Sequence, residues 1–371
     1  MNFEPFEEAV RNPRKQLDKY LNQNKKVIGC FPLYVPEQLV YAAGMIPFGM
    51  WGSNIEVKLA KNYFPAYVCG ILQTNFELAM KGVYDGISAV MITTLCDSLK
   101  CATQNWKYAV PGIEMIPVVH PQNRLSKGAY PFLLAQYQKI IKRLEEISGN
   151  KIQNENLHRA IEIYNEHNQV MRDFLKMLSN YPKEITPQYR NYVIKSGHFM
   201  DKKEHTQLVQ NLMDELQGKV PQVFRGIKVV TTGIIADSED LLNIFAENKV
   251  AIVADDIAHE SRQFRVDVQS KENLLRALVE QYLGMYGCSA VIGGNITRKE
   301  QILKLVKDNT ADGVIMLMTK FCDPEEYDYP LIKKVLDENR IPLLTIEVDK
   351  QIRNYGQAAT AVQSFQEMIR L

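Results

Sequence analysis

The sequence lacks several short motifs that identify nucleotide-binding and metal-binding proteins. It contains no GxxxxGK[ST] phosphate loop, and its GGNIT segment does not have the GxGxxG spacing of dinucleotide-binding proteins. No two cysteines have the CxxC spacing of compact zinc or ferredoxin sites. These absences argue against ATP hydrolysis, against a flavin or nicotinamide cofactor, and against a compact four-cysteine metal site in this chain.

Charge of one sign and long apolar runs are also scarce. Lys and Arg number 44 and Asp and Glu 43, for a formal net charge of +1, so no concentrated basic surface for nucleic acid is expected. No apolar run approaches the length of a membrane span. The N-terminal segment MNFEPFEEAVRNPRKQLDKYL predicts a helix and not a signal peptide. We therefore expect a cytoplasmic protein that binds neither nucleic acid nor membranes.

Cysteine is present but sparse. In a reducing compartment the six cysteines, at positions 30, 69, 96, 101, 288 and 322, favour free thiols or metal ligands over disulfides. The hydrophobic content of 46% and the charged content of 23% are typical of a globular protein. A length of 371 residues is suited to two or three domains.

The first part of the chain alternates between strand and helix patterns. Residues 1–25 and 67–83 predict helices, and PEQLVYAAG predicts a helix that begins at Pro36 and ends at Gly44. The predicted strands are KKVIGCFPLYVP, MIPFGMWG, ISAVMITTL and GIEMIPVVH. ISAVMITTL is apolar throughout, as in a strand buried on both faces, so we expect a parallel sheet.

The rest of the chain predicts a helical segment and then a second α/β unit. Residues 131–217 contain no convincing strand and predict two or three long helices, broken at 181–187. Strands are then predicted at TTGII, VAIVADD, SAVIGG, DGVIMLMTKF and IPLLTIEVD. The expected fold class is α/β, with two doubly wound parallel-sheet domains of flavodoxin or Rossmann type joined by a helical layer. The predicted boundaries are 1–130, 131–218 and 219–371.

Three distant cysteines lie where apolar, strand-like runs end. Cys96 follows ISAVMITTL, Cys322 follows GVIMLMTKF, and Cys69 directly precedes a helical stretch. The carboxyl ends of parallel strands form the crevice in which α/β proteins bind ligands. Three thiolates there could hold a metal centre, one ligand short of a closed structural site. The alternative is that each cysteine packs as a small apolar side chain. An Asp directly after Cys96 and after Cys322 favours the crevice.

Polar residues follow other predicted strands. The segment ADDIAHESRQFR, with Asp255, Asp256, Glu260, Arg262 and Arg265, could form a polar wall of the crevice. It could instead be an exposed helix start with first-turn acids and a salt bridge.

Two further polar residues near strand ends leave alternatives open. Glu37 could complement a helix dipole or lie close to a metal centre. His120, before a proline, could be a turn residue or a base.

Five segments together resemble a known family. They are KVIGCFPLYVPEQLVYAAGMIPFGMWGSN, TLCDSLKCATQNWK, VVHPQNR, ADDIAHESRQFRVD and KFCDPEEYDYPLIKK. The sequence resembles the smaller, beta-type subunit of the 2-hydroxyacyl-CoA dehydratases, such as those that act on 2-hydroxyglutaryl-CoA and 2-hydroxyisocaproyl-CoA. The resemblance covers nearly the whole chain.

The resemblance implies a cofactor and its ligands. In this family each subunit binds one [4Fe–4S] cluster through three cysteines and leaves one iron without a cysteine ligand. The motifs match Cys69, Cys96 and Cys322, with Cys101 as a reserve ligand. Cys30 and Cys288 are expected in the core. The residues expected around the cluster are Glu37, Asp256, Glu260 and Arg262.

The resemblance also implies an activity and partners. The expected function is a hydro-lyase of anaerobic amino-acid fermentation that eliminates water, syn or anti, from a 2-hydroxyacyl-CoA to give the 2-enoyl-CoA through a ketyl radical. A larger homologous subunit would complete a heterodimer and make most contacts to the acyl-CoA. A separate ATP-dependent iron–sulfur activator would supply the electron. Two alternatives are a benzoyl-CoA-reductase-like subunit and a non-catalytic iron–sulfur electron carrier.

Overall fold

Two parallel sheets organise the computed structural model. It describes residues 1–221, 223–269, 271–291, 293, 297–352 and 354–370. The first sheet has the strand order β2-β1-β3-β4, and all of its pairings are parallel. Its strands are β1 (Val27–Phe31), β2 (Ile46–Gly49), β3 (Ala89–Thr93) and β4 (Glu114–Val118).

The second sheet repeats this arrangement. Its order is β6-β5-β7-β8, again with parallel pairings. The strands are β5 (Ile227–Gly233), β6 (Val250–Ile257), β7 (Gly313–Thr319) and β8 (Leu343–Val348). Strands β3 and β7 therefore hold the same place in the two sheets. The predicted fold class of two doubly wound parallel sheets is confirmed.

Helices connect the strands within each sheet, and four further helices lie between the two sheets in chain order. The first five are α1 (Glu4–Arg11), α2 (Pro13–Asn22), α3 (Glu37–Ala42), α4 (Gly70–Met80) and α5 (Asp97–Ala109). The helical layer comprises α6 (Ala129–Ser148), α7 (Asn154–Met177), α8 (Pro187–Ser196) and α9 (Lys202–Gln217). The remaining helices are α10 (Glu239–Glu247), α11 (Leu274–Leu283), α12 (Arg298–Asp308), α13 (Asp323–Glu338) and α14 (Gly356–Arg370).

Two details of the sequence prediction are wrong. The helical segment contains four helices and not two or three, because the Asp201 side chain caps α9 with bonds to the amides of Lys203 and Glu204. The SAVIGG segment forms no strand in its described residues. There the chain makes a turn closed by an isolated bridge between Cys288 and Val291. Positions 292 and 294 of that segment lie outside the described residues.

The apolar core of the first sheet includes residues from the last third of the chain. Leu278 and Tyr282, on α11, are buried in the same core as the strands of the first sheet. The predicted domain boundaries thus stay a prediction. In the described part of the chain, no helix combines the length and the apolar character needed to cross a membrane.

Candidate functional site

Each of the three cysteines lies directly before the first residue of a helix. Cys69, Cys96 and Cys322 are the N-cap residues of α4, α5 and α13, and all three are half-buried. Cys96 follows β3 and Cys322 follows β7, so these two occupy equivalent positions in the two sheets. Both residues therefore follow a strand of their sheet and precede a helix, as the apolar runs in the sequence indicate.

The three thiols influence one another. Burial, with a smaller contribution from the neighbouring Cys96, raises the pKa of Cys69 to about 12. Burial also raises the pKa of Cys322 well above its usual value, and Glu325, Cys69 and Cys96 add to that effect. Each pair of thiols is therefore close enough for an electrostatic interaction. Deprotonating all three would put like charges together, which a bound cationic centre would relieve.

Backbone amides favour the thiolate forms. The amides of Leu72 and Ile71 lower the pKa of Cys69, and those of Leu99 and Ser98 lower the pKa of Cys96 against the larger effect of burial. Amides at a helix start carry the positive end of the helix dipole. The amides at these helix starts therefore offset part of the effect of burial on the Cys69 and Cys96 thiols.

The three thiols do not form a site for a single ion. Within the described ranges, no group of three or more His, Cys, Asp or Glu side chains could hold a metal ion. Ligands that each bind a different iron of one cluster stand farther apart than ligands that share one ion. A donor set of three thiols at three separate helix starts fits a cluster better than a mononuclear metal.

A cleft gives access to this region. Its volume is about 390 Å³, and its walls include Cys96, Asp97, Lys100, Asp323 and Tyr327. The starts of α5 and α13 thus lie on the same cleft, and the first-turn acids Asp97 and Asp323 border it. Among the three cysteines, Cys96 lines this cleft.

Asp349 is a neighbour of the cysteines that the sequence analysis missed. It follows β8, and an added Cβ atom at Gly70, the residue after Cys69, would lie 1.8 Å from Asp349 Oδ1. Burial is the main cause of the raised pKa of Cys69, and the Cys96 thiol and the Asp349 carboxylate raise it as well. The signal was present, because Asp349 is the last residue of the predicted strand IPLLTIEVD.

The predicted polar wall is a buried ion-pair network and not an exposed helix start. Asp256 and Arg262 have no exposed surface. Asp256 forms ion pairs with Arg262 at 3.0 Å, Arg265 at 2.8 Å and Arg298 at 2.9 Å. Burial opposes ionisation of Asp256, but the three guanidinium groups hold its pKa far below the usual value. The carboxylate is therefore charged at all physiological pH values.

Glu325 links this network to the cysteine site. It lies in the first turn of α13 and is fully buried. Its carboxylate accepts hydrogen bonds from Ser289 Oγ at 2.5 Å and Arg298 Nη2 at 2.6 Å, and Arg262 Nη1 lies 3.6 Å away. The predicted residues Asp256 and Arg262 thus reach the Cys322 helix through Glu325, which the sequence analysis did not single out.

Glu260 belongs to a different buried cluster. Arg190 lies 2.6 Å from Glu260 Oε2 and also pairs with Asp255. Burial raises the pKa of Glu260 to about 7, although Arg190 opposes the shift. Its ion pair is therefore with α8 of the helical layer, and no contact described for it reaches the three thiols.

Glu37 is directed toward the helical layer. Its carboxylate accepts a hydrogen bond from the Tyr164 hydroxyl at 2.9 Å and lies 3.5 Å from Lys202 Nζ. Burial raises the pKa of Cys30 well above its usual value, and Glu37 adds to this effect. Among the described contacts, those of Glu37 are thus with α7, α9 and Cys30, and not with the three helix-capping cysteines.

The remaining cysteines and His120 have other surroundings. All six cysteines are free; Cys30 and Cys288 are buried, and Cys101 is exposed on α5. The Cys288 thiol lies 3.5 Å from Arg262 Nη1, so this core cysteine touches the ion-pair network. His120 stacks on Tyr282 with ring centroids 4.2 Å apart, and burial lowers its pKa to about 3. His120 is therefore a packed, neutral residue.

Comparison with known proteins gives consistent matches over the whole chain. The family model described as 2-hydroxyglutaryl-CoA dehydratase, D-component, matches residues 32–369. The chain is 53% identical to the (R)-phenyllactyl-CoA dehydratase beta subunit of Clostridium sporogenes, over 99% of this chain and 98% of that protein. It is 40% identical to the lactoyl-CoA dehydratase subunit beta of Anaerotignum propionicum, with coverages of 98% and 97%. Identity to the (R)-2-hydroxyglutaryl-CoA dehydratase subunit beta of Acidaminococcus fermentans is 38%, with coverages of 99% and 98%.

Proposed function

Because the chain belongs to the 2-hydroxyglutaryl-CoA dehydratase D-component family, we propose that it is the beta-type subunit of a 2-hydroxyacyl-CoA dehydratase. The reaction is the elimination of water from a 2-hydroxyacyl-CoA to give the 2-enoyl-CoA. The full-length similarity to beta subunits of such enzymes carries this proposal. The relatives differ in their acyl groups, so the proposal names the substrate class and not one acid.

We further propose that Cys69, Cys96 and Cys322 hold a [4Fe–4S] cluster and that one iron has no cysteine ligand. The support is the set of three half-buried thiols at the starts of α4, α5 and α13. Backbone amides at those starts favour the thiolate forms that bind iron. When bound, such a cluster would supply one-electron chemistry that amino-acid side chains cannot perform.

One-electron chemistry suits this elimination. The proton on carbon 3 of a 2-hydroxyacyl-CoA is barely acidic, so ordinary acid–base catalysis faces a high barrier. Adding one electron to the thioester gives a ketyl radical, which expels the hydroxyl group and leaves an enoxy radical whose carbon-3 proton is far more acidic. Loss of that proton and return of the electron give the 2-enoyl-CoA. The chain has no phosphate loop, so we propose that a separate ATP-dependent activator supplies the electron.

The partner in this proposal is the larger homologous subunit, and its contact surface includes the elements that carry the thiols. Large apolar side chains are exposed on these elements. Tyr67 precedes Cys69, Phe321 precedes Cys322, Tyr108 lies on α5, and Tyr327 and Leu331 lie on α13. Exposed aromatic side chains of this kind are enriched at protein interfaces. A reducing, cytoplasmic location is part of the same proposal, since all six cysteines are free.

Anaerobic reconstitution of single-cysteine variants tests the cluster. Each of Cys69→Ala, Cys96→Ala and Cys322→Ala is expected to lose most of its bound iron and sulfide, because a cluster held by two thiolates is labile. Cys101→Ala is the matched control, since that thiol is exposed on α5 only five positions from Cys96, and it is expected to retain the cluster. Iron and sulfide analysis with the visible absorption spectrum is the measurement. Unchanged iron in any of the three variants would remove that residue from the ligand set.

The activity is tested with the heterodimer. Co-expression with the larger subunit, addition of activator and ATP, and assay with several 2-hydroxyacyl-CoA substrates should give the 2-enoyl-CoA. Turnover of benzoyl-CoA in place of 2-hydroxyacyl-CoA would support the reductase alternative. Reversible reduction without turnover of either substrate would support an electron carrier.

A further inference from the structure

The start of α13 is attached to the protein interior by the side chain of Glu325. Cys322 is the N-cap, and the amides of Glu325 and Glu326 both donate to the Cys322 carbonyl, at 3.0 and 3.1 Å. A glutamate at the third helical position often folds back to the N-cap amide. Here the Glu325 side chain instead turns inward to Ser289 and Arg298. The first turn of α13 is therefore fixed to the protein interior by a charged side chain.

Arg298, which bonds the Glu325 carboxylate, is itself held by other buried residues. Arg298 is at the first position of α12 and also donates to Thr232 Oγ1 at 2.8 Å, at the end of β5. The same guanidinium pairs with Asp256 at 2.9 Å. Glu325 is thus connected to a strand end, to another helix start and to the buried arginine network. A carboxylate held on both oxygens in this way has little freedom to move.

The turn before Cys322 requires such a restraint. Phe321 has a φ of +61°, a left-handed conformation that costs an aromatic residue free energy. The Cys322 amide donates to the Thr319 carbonyl at 3.1 Å, which closes a tight turn after β7. A strained turn is maintained only where the surrounding structure holds it. The buried contacts of Glu325, one turn farther along, provide that hold.

From these contacts we infer that Glu325 and Arg298 are positioning residues that fix the start of α13 and direct the Cys322 thiol toward Cys69 and Cys96. What the thiols then bind rests on the proposed function, but the positioning itself is a property of the chain without any metal. The two residues orient a ligand, and they need not touch iron or substrate.

Chemical bridging of the thiols in the metal-free chain tests the inference. In a Cys101→Ser background, dibromobimane is expected to link Cys322 to Cys69 or Cys96, and proteolysis with mass spectrometry identifies the linked peptides. Glu325→Ala is expected to slow the bridging by about fivefold or more, the effect of roughly 1 kcal/mol on the population of the positioned thiol. Arg298→Gln is expected to slow it less, because Ser289 and Arg262 still hold Glu325.

Asp256→Asn is the matched control. In the described part of the chain, Asp256 makes no direct contact with α13 and reaches Glu325 only through Arg262 and Arg298, so this variant costs stability but is expected to slow the bridging less than Glu325→Ala. Bridging unchanged in folded Glu325→Ala, or slowed equally by Asp256→Asn, would overturn the inference. If circular dichroism shows that Glu325→Ala does not fold, Arg298→Gln takes its place in the comparison. Bridging that is slowed no more by Arg298→Gln than by Asp256→Asn would then overturn the inference.

A second readout uses the reconstituted chain. Glu325→Gln removes a buried negative charge beside the cysteine site, which stabilises a reduced, more negative cluster and raises its midpoint potential. Asp256→Asn also removes one buried negative charge, but at a residue that does not lie on the Cys322 helix. The midpoint potential is therefore expected to rise less in Asp256→Asn than in Glu325→Gln. Equal shifts of the midpoint potential in the two variants would contradict the inference that Glu325 is the acid closest in effect to Cys322. Failure of every variant to take up iron would count against the proposed cluster, while the bridging result would stand independently.

Discussion

At the scale of single residues, the region around the thiols is defined by buried charge. Asp256 and Glu325 share Arg262 and Arg298, and Glu260 and Asp255 share Arg190. Breaking one partner of a buried pair leaves an uncompensated charge, which costs about 3–5 kcal/mol. Burial raises the pKa of Glu260 to about 7, so the protonation of this carboxylate changes near neutral pH.

Stability should depend on pH through Glu260. Its pKa is raised to about 7 in the folded chain, mainly by burial, from a usual value of 4.5. Between pH 4.5 and pH 7 the folded chain therefore keeps a proton on Glu260 that the unfolded chain has lost. The contribution of Glu260 to the free energy of unfolding is complete below pH 4.5 and is lost as the pH rises through 7. Urea unfolding at pH 5 and pH 7.5 should show that Glu260→Gln removes part of this decline, on the order of 1–3 kcal/mol. Glu247→Gln, at an exposed position of α10, should keep the parent's pH dependence. A Glu260→Gln chain with the same slope as the parent would contradict the role of Glu260.

The sequence predicted single residues at the site unevenly. Cys96 and Cys322 follow strands that are apolar throughout, so a rule about strand ends finds them without a structure. Glu325 lies in an ordinary acidic first turn, DPEE, and nothing in the sequence indicates that one of its acids is fully buried. Its burial depends on Arg298 and Ser289, which are distant in sequence and are brought together by tertiary packing.

At the scale of elements, the starts of three helices define the candidate site. Strands were predicted well because buried parallel strands are continuous apolar runs. Helix boundaries were predicted less well, since α8 and α9 are separated only by a short turn and a capping Asp. SAVIGG has a strand-like composition, but its described part pairs with neither sheet, and short apolar segments do not by themselves specify a pairing partner.

The start of α4 requires a glycine. An added Cβ at Gly70 would lie 1.8 Å from Asp349 Oδ1 and 3.2 Å from the Lys350 amide nitrogen. Gly70→Ala is therefore expected to displace the Asp349 loop or Cys69 and to destabilise the chain by about 1–3 kcal/mol in urea unfolding. Gly112→Ala is the control, because an added Cβ there meets nothing within 4 Å. Asp349→Ala in the Gly70→Ala chain removes the obstructing carboxylate and should recover part of the loss. Equal free energies of unfolding in Gly70→Ala and Gly112→Ala would show that Asp349 does not prevent a side chain at position 70.

At the scale of the whole molecule, the two sheets have the same strand order and the same parallel pairing. The third strand in sequence of each sheet leads to a Cys-Asp pair at the start of a helix. The sequence shows this correspondence as one shared theme, and the structure gives it a position in each sheet. Cys69 comes from a helix of the first unit, so the proposed cluster would join elements of both α/β units. Binding of the cluster would then stabilise the arrangement of the two sheets relative to one another.

The exposed aromatic residues around the thiols lead to a prediction about assembly. Tyr327 is 83% exposed and forms part of the cleft wall beside Cys96. If this surface contacts the larger subunit, Tyr327→Glu places a charge in a buried interface and should weaken the heterodimer by about tenfold or more. Co-purification from cells that express both subunits, followed by analytical ultracentrifugation, is the measurement. Met368→Glu is the matched control, because that side chain is 53% exposed on α14 and is not adjacent to a thiol in sequence. A heterodimer equally stable in both variants would place the interface elsewhere, and the exposed aromatic residues would then be free to receive the activator.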